Sequence, residues 1–201
     1  PIHVENAKLA WACTNCLACR ERCDHRSDVA VVLDDNRAEM WRAGVAPAAA
    51  RQVAAQFAER EAAYGTAVAA ITGVAALAGA AAGGATTRTA VLLGCSYVRH
   101  HPDIAADAWQ VVTRLIDDAH PWHHCCGTSL LHAGDRDAFE RHAREFAASL
   151  GDVERVIAVD PGCAKTLKHD YARLGIRLPE VVPLVDVLYA RIDELPALAF
   201  A

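Results

Sequence analysis

Four cysteines, Cys13, Cys16, Cys19 and Cys23, lie in one run, Cys-Thr-Asn-Cys-Leu-Ala-Cys-Arg-Glu-Arg-Cys. The spacing is C-x2-C-x2-C-x3-C, an arrangement that holds a [4Fe–4S] cluster through thiolates. Two residues between cysteines let successive sulfurs converge on one inorganic core, and the wider last gap carries the chain away. The chemistry on offer is one-electron transfer. A structural zinc knot is the alternative, because zinc also accepts thiolates with a histidine, and His25 follows Cys23 closely. Zinc knots more often pair two separated C-x2-C units.

A second set follows the pattern Cys95-x29-Cys125-Cys126-x36-Cys163. The members follow candidate strands: Cys95 directly after Thr89–Gly94, Cys125 and Cys126 after the weaker candidate His120–His124, and Cys163 after Arg155–Asp160 and the Pro161-Gly162 pair. If these are parallel strands, their carboxyl ends share one sheet edge, where ligands bind. Four thiols far apart in sequence are then expected to meet in space. Gly94, Gly127 and Gly162 adjoin them and let the backbone turn tightly around a bulky group. Cysteines also serve as small buried hydrophobes. A strained, redox-active vicinal Cys125–Cys126 disulfide is a further alternative.

The rest of the sequence supplies the elements that hold these residues. Val53, Phe57 and Tyr64 fall on one helical face, and Trp11 and Trp41 are expected to pack around the first cluster and keep water off it. A helix followed by an Ala/Gly linker at Ala80–Thr87 separates this first part from the second. Beyond it, strand and helix alternate. Helices are expected at Ile104–Leu115, Phe139–Leu150, Lys165–Leu174 and Val185–Leu195, with a last strand at Val181–Leu184. Short apolar strands alternating with helices predict a parallel sheet covered on both faces. The expected domains are a helical iron–sulfur module at 1–65, a helix and linker at 66–87, and an α/β domain at 88–201.

The second set resembles a known family. Gly94-Cys95, His124-Cys125-Cys126-Gly127 and Pro161-Gly162-Cys163 are similar to the cysteine-rich CCG domain of heterodisulfide reductase catalytic subunits and glycolate oxidase iron–sulfur subunits. Trp11–Arg37 resembles the helical ferredoxin module that precedes CCG domains in those proteins. The resemblance covers nearly the whole chain, in the expected order. It implies a small helical ferredoxin-like module followed by a Rossmann-like parallel-sheet CCG domain. It also implies a second iron–sulfur cluster at Cys95, Cys125, Cys126 and Cys163. Proteins of this kind pass electrons from a flavin or hydride-oxidising partner to a disulfide, a quinone or a similar acceptor.

The departures from the family pattern narrow the chemistry. The full CCG pattern ends in C-x2-C, but Thr166 stands at the fifth position. Four thiolates suit a cubane rather than a five-thiolate non-cubane cluster. In paired ferredoxin motifs the fourth cysteine serves the other cluster. With a single motif, Cys23 either closes its own cluster or lacks its partner. Asp24 follows Cys23 where proline is usual. One CCG unit stands where the family carries two, so the chain is either a shortened member or continues beyond these residues.

Composition excludes several function classes. The chain has 201 residues, 53% of them hydrophobic, and a formal net charge of −5 with no long basic run, which does not suit nucleic-acid binding. Eight cysteines grouped in metal-ligand patterns point to a reducing compartment, expected to be the cytoplasm, rather than to a disulfide framework. Thr66–Ala85 is rich in Ala, Gly and Thr and is too weakly apolar to be expected to span a membrane. Neither G-x-G-x-x-G nor a Walker A sequence occurs, so other subunits are expected to supply flavin or nucleotide. Among ten histidines, His124 beside Cys125 is the best candidate for a ligand or proton donor. Arg20, Arg22 and Arg26 could offset cluster charge, as could Lys165 and Lys168 near Cys163.

The expected function is an iron–sulfur electron-transfer subunit of an oxidoreductase complex. Two alternatives remain at this point. One is a heterodisulfide reductase-like thiol–disulfide reductase with a catalytic CCG cluster. The other is a structural subunit with a degenerate CCG site.

Overall fold

The computed structural model describes residues 7–75 and 88–195. The linker expected at Ala80–Thr87 lies outside them. The chain first forms helices α1 (Ala7–Ala12), α2 (Ala18–Arg22), α3 (Val29–Arg42), α4 (Ala48–Ala55) and α5 (Phe57–Thr72). Strand β1 (Thr89–Leu92), helices α6 (Cys95–His100) and α7 (Pro102–Leu115), and strand β2 (Ala119–Pro121) come next. Helices α8 (Thr128–Ala133) and α9 (Arg136–Ser149) lead to strand β3 (Arg155–Ala158). Helix α10 (Pro161–Lys165) runs through a π-helical turn, Thr166–Asp170, into α11 (Tyr171–Arg173); β4 (Glu180–Pro183) and α12 (Leu184–Ala190) follow.

The protein is α/β. Its four strands are all parallel, in the order β2-β1-β3-β4. Val91 is in register with Pro121 on one side and Ile157 on the other, and Ile157 pairs in turn with Val182. Every residue of β1 is buried, as are Val156, Ile157 and Ala158 of β3. Successive strand residues face opposite sides, so burial of every one means that both sheet faces are covered. Prolines fall where they do no harm: Pro121 and Pro183 end the two edge strands, where a missing N–H interrupts no inner ladder.

The described chain divides into two compact units. One takes the chain up to Arg60 together with Gly127–Ala143; the other takes Glu61–Cys126 and the chain from Arg144 onward. In the first, α3 packs on α1 and α8, and α4 packs on α8. Gly134, at φ +92°, ends α8 against α3; a Cβ there would lie 2.6 Å from the Arg37 carbonyl oxygen. The second unit contains the sheet.

Several elements differ in detail from the sequence expectation. Val53, Phe57 and Tyr64 do not share one helix: Gln56 (φ −92°, ψ 5°) leaves the helical region and separates α4 from α5. Helix α10 starts at Pro161 rather than Lys165, because Asp160 caps it and proline suits its first position. The helix expected at Ile104–Leu115 is α7; Ile104 is exposed, and Ala105, Val112 and Leu115 carry its buried face. Among the described residues, no helix is long and apolar enough to cross a membrane.

Candidate functional site

The first cysteine set lies on a loop and a short helix between α1 and α3. Cys13 follows α1, Cys16 lies in the loop, Cys19 is inside α2, and Cys23 ends α2. Cys16 and Cys19 are exposed, and Cys13 and Cys23 are half-buried. Two non-glycine residues in this run are left-handed, Asn15 (φ +57°) and Leu17 (φ +61°). Such residues persist only where surrounding structure holds them.

What holds Asn15 is a buried polar network that the sequence did not reveal. Its amide Nδ2 donates to Asp34 Oδ2 at 2.7 Å. The other carboxylate oxygen of Asp34 accepts from Arg37 Nη1 at 2.9 Å. Arg37 also donates from Nε and Nη2 to the Ala10 carbonyl, at 2.9 and 2.7 Å, and from Nη2 to the Cys13 carbonyl. Asn15, Asp34 and Arg37 are all almost wholly buried. The signal in the sequence is faint: one Asp-x-x-Arg pair within α3.

Two thiols of this set, Cys16 and Cys23, are biased toward thiolate. The backbone N–H of Ala18 and the Thr14 side chain hold Cys16 below the ordinary thiol range. The backbone N–H and hydroxyl of Ser27, then the His25 N–H, do the same for Cys23. A backbone N–H also meets sulfur at Cys13, where Asn15 N donates to Sγ at 3.3 Å. Thiolate is the ligand form of cysteine, so these donors favour metal capture. Of the three nearby arginines, Arg20 pairs with Asp28 at 3.4 Å.

The second set sits at the carboxyl edge of the sheet. Cys95 opens α6 after β1, Cys125 and Cys126 follow β2, and Cys163 is the third residue of α10 after β3. The chain leaves β1 for β2 on one side and then crosses to β3 on the other. That reversal makes the carboxyl edge at β1 and β3 a topological switch point, where parallel sheets open a crevice. Gly94 (φ +90°) turns the chain from β1 into α6, and a Cβ there would strike Asp160 Cβ at 2.5 Å. Asp160 in turn accepts from the backbone N–H of Gly162 and of Cys163, at 2.7 and 3.4 Å, and so fixes the start of α10.

Cys126 and Cys163 meet directly, Sγ to Sγ at 3.3 Å, with the Cys126 S–H as donor. Accepting that bond lowers the Cys163 pKa, but burial and the negative charges of Asp160, Cys125 and Cys95 outweigh it and push the thiol up. Two buried tyrosines border the same space. Tyr64 Oη lies 3.4 Å from the Trp122 carbonyl; burial, then Cys163, Cys125 and Cys95, push its phenol up. Tyr171 Oη donates to the Cys126 carbonyl at 3.0 Å; burial, then Cys126, Cys125 and Cys163, push its phenol up. In the sequence, Tyr64 and Tyr171 register only as parts of helices. Neighbouring thiols reveal their place only once the sheet is formed.

Other candidates find different partners. His124 Nδ1 lies 3.5 Å from Glu61 Oε1, and its side chain is half-exposed. His123 Nε2 meets the Val74 carbonyl at 3.1 Å. Lys165 is bound to Asp170, at 2.7–2.8 Å, across the π-helical turn. Thr166, at the position of the family's fifth cysteine, is fully buried.

All eight cysteines are thiols, so the vicinal Cys125–Cys126 disulfide is not formed. Among the described residues, no three His, Cys, Asp or Glu side chains stand where one metal ion would bind them all. A cluster differs from a single ion, because its thiolates attach at separate irons and do not meet at a point. Two observations fit that larger group. Trp11 Nε1 and Trp122 Nε1 are the buried side-chain polar atoms left without a partner among the described residues. Each tryptophan lies within three residues of a cysteine set, Cys13 in one case and Cys125 in the other. A buried N–H left unbonded is costly, and cluster sulfur accepts such bonds.

Comparison with known proteins agrees with this geometry. Residues 89–168 match the CCG family, described as a cysteine-rich domain. The chain is also similar to the B component of the fumarate reductase (CoM/CoB) of Methanothermobacter marburgensis, 28% identical over 111 residues. That alignment covers 54% of this chain and 22% of the relative, so the chain spans about a fifth of its length. No solved structure matches. The α/β segment at residues 89–168, which carries Cys95, Cys125, Cys126 and Cys163 at its sheet edge, is the part of the chain that matches the cysteine-rich CCG domain.

Proposed function

We propose that the protein is an iron–sulfur electron-transfer subunit of an oxidoreductase complex. The observation that carries this reading is the presence of two four-cysteine sets, one in each compact unit, with the second at the switch point of the sheet. Cys13, Cys16, Cys19 and Cys23 would hold a [4Fe–4S] cluster. Cys95, Cys125, Cys126 and Cys163 would hold a second cluster, a cubane, because Thr166 supplies no fifth thiolate. Bound there, such groups supply one-electron transfer at potentials set by burial and hydrogen bonding.

The chain's own residues do the rest. Hydrogen bonds from Ala18 and Thr14 to Cys16, and from Ser27 and His25 to Cys23, stabilise their thiolates. Tyr64 and Tyr171 close the second set off from water, and Asp160 sets the direction of Cys163. The helical module at 1–65, the segment at 66–87 and the α/β domain at 88–201 divide the labour between two redox centres. The similarity to a reductase component supports partner subunits, of which one would be a flavin-bearing or hydride-oxidising electron donor. A reducing compartment such as the cytoplasm would keep the thiols available.

Iron and acid-labile sulfide analysis of anaerobically prepared protein tests this reading. It predicts both elements, in amounts for two clusters. Zinc without sulfide would end it.

One observation favours a second reading. Cys126 and Cys163 are already in contact, so a substrate disulfide could be reduced there without iron. Its S–S bond would break, Cys126 and Cys163 would form one, and the two thiol protons would leave with the two released thiols. Turnover of a small disulfide by protein stripped of iron, with a chemical reductant to restore the Cys126–Cys163 dithiol, would support it.

A further inference from the structure

Arg37 is the largest side chain with essentially no exposure, and it forms a buried ion pair with Asp34. Replacing such a pair by hydrocarbon is often neutral or stabilising, so stability alone is a poor reason for placing it here. Its bonds give a better one. Those bonds tie α3 to the end of α1 and to the first cysteine run. The guanidinium holds the carbonyls of Ala10 and Cys13, at the end of α1, where helix carbonyls lack intrahelical partners. Asp34 passes the constraint on to Asn15, whose left-handed turn joins Cys13 to Cys16. Asn15 then presents its backbone N–H to Cys13 Sγ. Hydrocarbon in place of Arg37 would fill the volume and release all three points.

We infer that Arg37 is the positioning residue of the first cysteine set, fixing Cys13 directly and the Cys13–Cys16 turn through Asp34 and Asn15. The inference rests on the reading of that set as a cluster site. The guanidinium and carboxylate charges cancel, so the network orients the sulfurs without adding net charge. A lysine at 37 keeps the positive charge and loses the planar fork that reaches two carbonyls and a carboxylate together. Glycine at 15 keeps the left-handed backbone and loses only the bond to Asp34.

The experiment compares the full chain with its Arg37→Lys and Asn15→Gly variants. Each is reconstituted anaerobically with iron and sulfide. Affinity, paramagnetic resonance and midpoint potential are read for the first cluster, with thermal unfolding as a control. Supporting-shell changes typically cost 10–100-fold in metal affinity. A loss of about that size is expected at the first set, with an altered potential or signal, while the second set is unchanged. Alkylation rates of Cys13 and Cys16 before reconstitution give a second readout, and both are expected to rise in the variants. Folded variants that match the parent in affinity, potential and alkylation overturn the inference. If Arg37→Lys does not fold, Asn15→Gly decides alone. If the parent takes up no iron at the first set, the cluster reading fails, and the alkylation rates still decide whether the network positions these thiols.

Discussion

Replacing Gly94 by alanine should damage the second cysteine set from a position that bears no sulfur. The backbone there has φ +90° and ψ 126°, a region that L-residues rarely adopt. Holding a non-glycine residue in such a region costs about 1–3 kcal/mol. The added Cβ would lie 2.5 Å from Asp160 Cβ, about 1 Å inside normal carbon contact. Overpacking of that kind costs about 1–3 kcal/mol more. The sum, about 2–6 kcal/mol, is a large share of the 5–15 kcal/mol typical of a folded domain. Relief requires Asp160 to move, and Asp160 caps the helix that carries Cys163. The thiol contact should therefore loosen along with the fold. Gly175→Ala is the control: its φ is +70° with nothing within 4 Å, so only backbone strain of about 1–2 kcal/mol is expected. Urea unfolding followed by tryptophan fluorescence reads both variants. A Gly94→Ala cost no larger than that of Gly175→Ala would refute the close packing of β1 and β3 ends on which the site depends.

Three further outcomes follow from the same geometry. Tyr171→Phe removes the bond to the Cys126 carbonyl; urea titration should show a loss of about 0.5–1.5 kcal/mol. Burial holds His123 below the ordinary histidine range, so its imidazole stays neutral in the fold. The unfolded chain then binds more protons, and this stability is complete above about pH 6.5 and falls as pH drops below it; urea midpoints at pH 7.5 and 5.5 should differ in that direction, less so for His123→Gln. Iodoacetamide with mass spectrometry at neutral pH should label exposed Cys16 and half-buried Cys23 well before Cys163, whose thiol is buried and pushed up.

Much of the site was legible because cysteine spacing and strand hydrophobicity are local signals. Thr-Ala-Val-Leu and Arg-Val-Ile-Ala read as buried strands, and the cysteines after them fell at the sheet edge as expected. The break at Gln56 was not legible, since an alanine-rich stretch shows little contrast between buried and exposed faces. Helices α6 and α8, of six residues each, are too short for periodicity to register. Their starts follow from Gly94 and Gly127 at positive φ. Asn15, Asp34 and Arg37 look like surface residues in any short window. Their burial comes from α1 and α3 packing together, which sequence pattern does not encode.

Paramagnetic resonance of the reduced protein, counted per chain, tests the central claim most directly. Two iron–sulfur signals are expected, with Cys16→Ala removing one and Cys126→Ala the other. A single signal indifferent to Cys126→Ala would contradict the account.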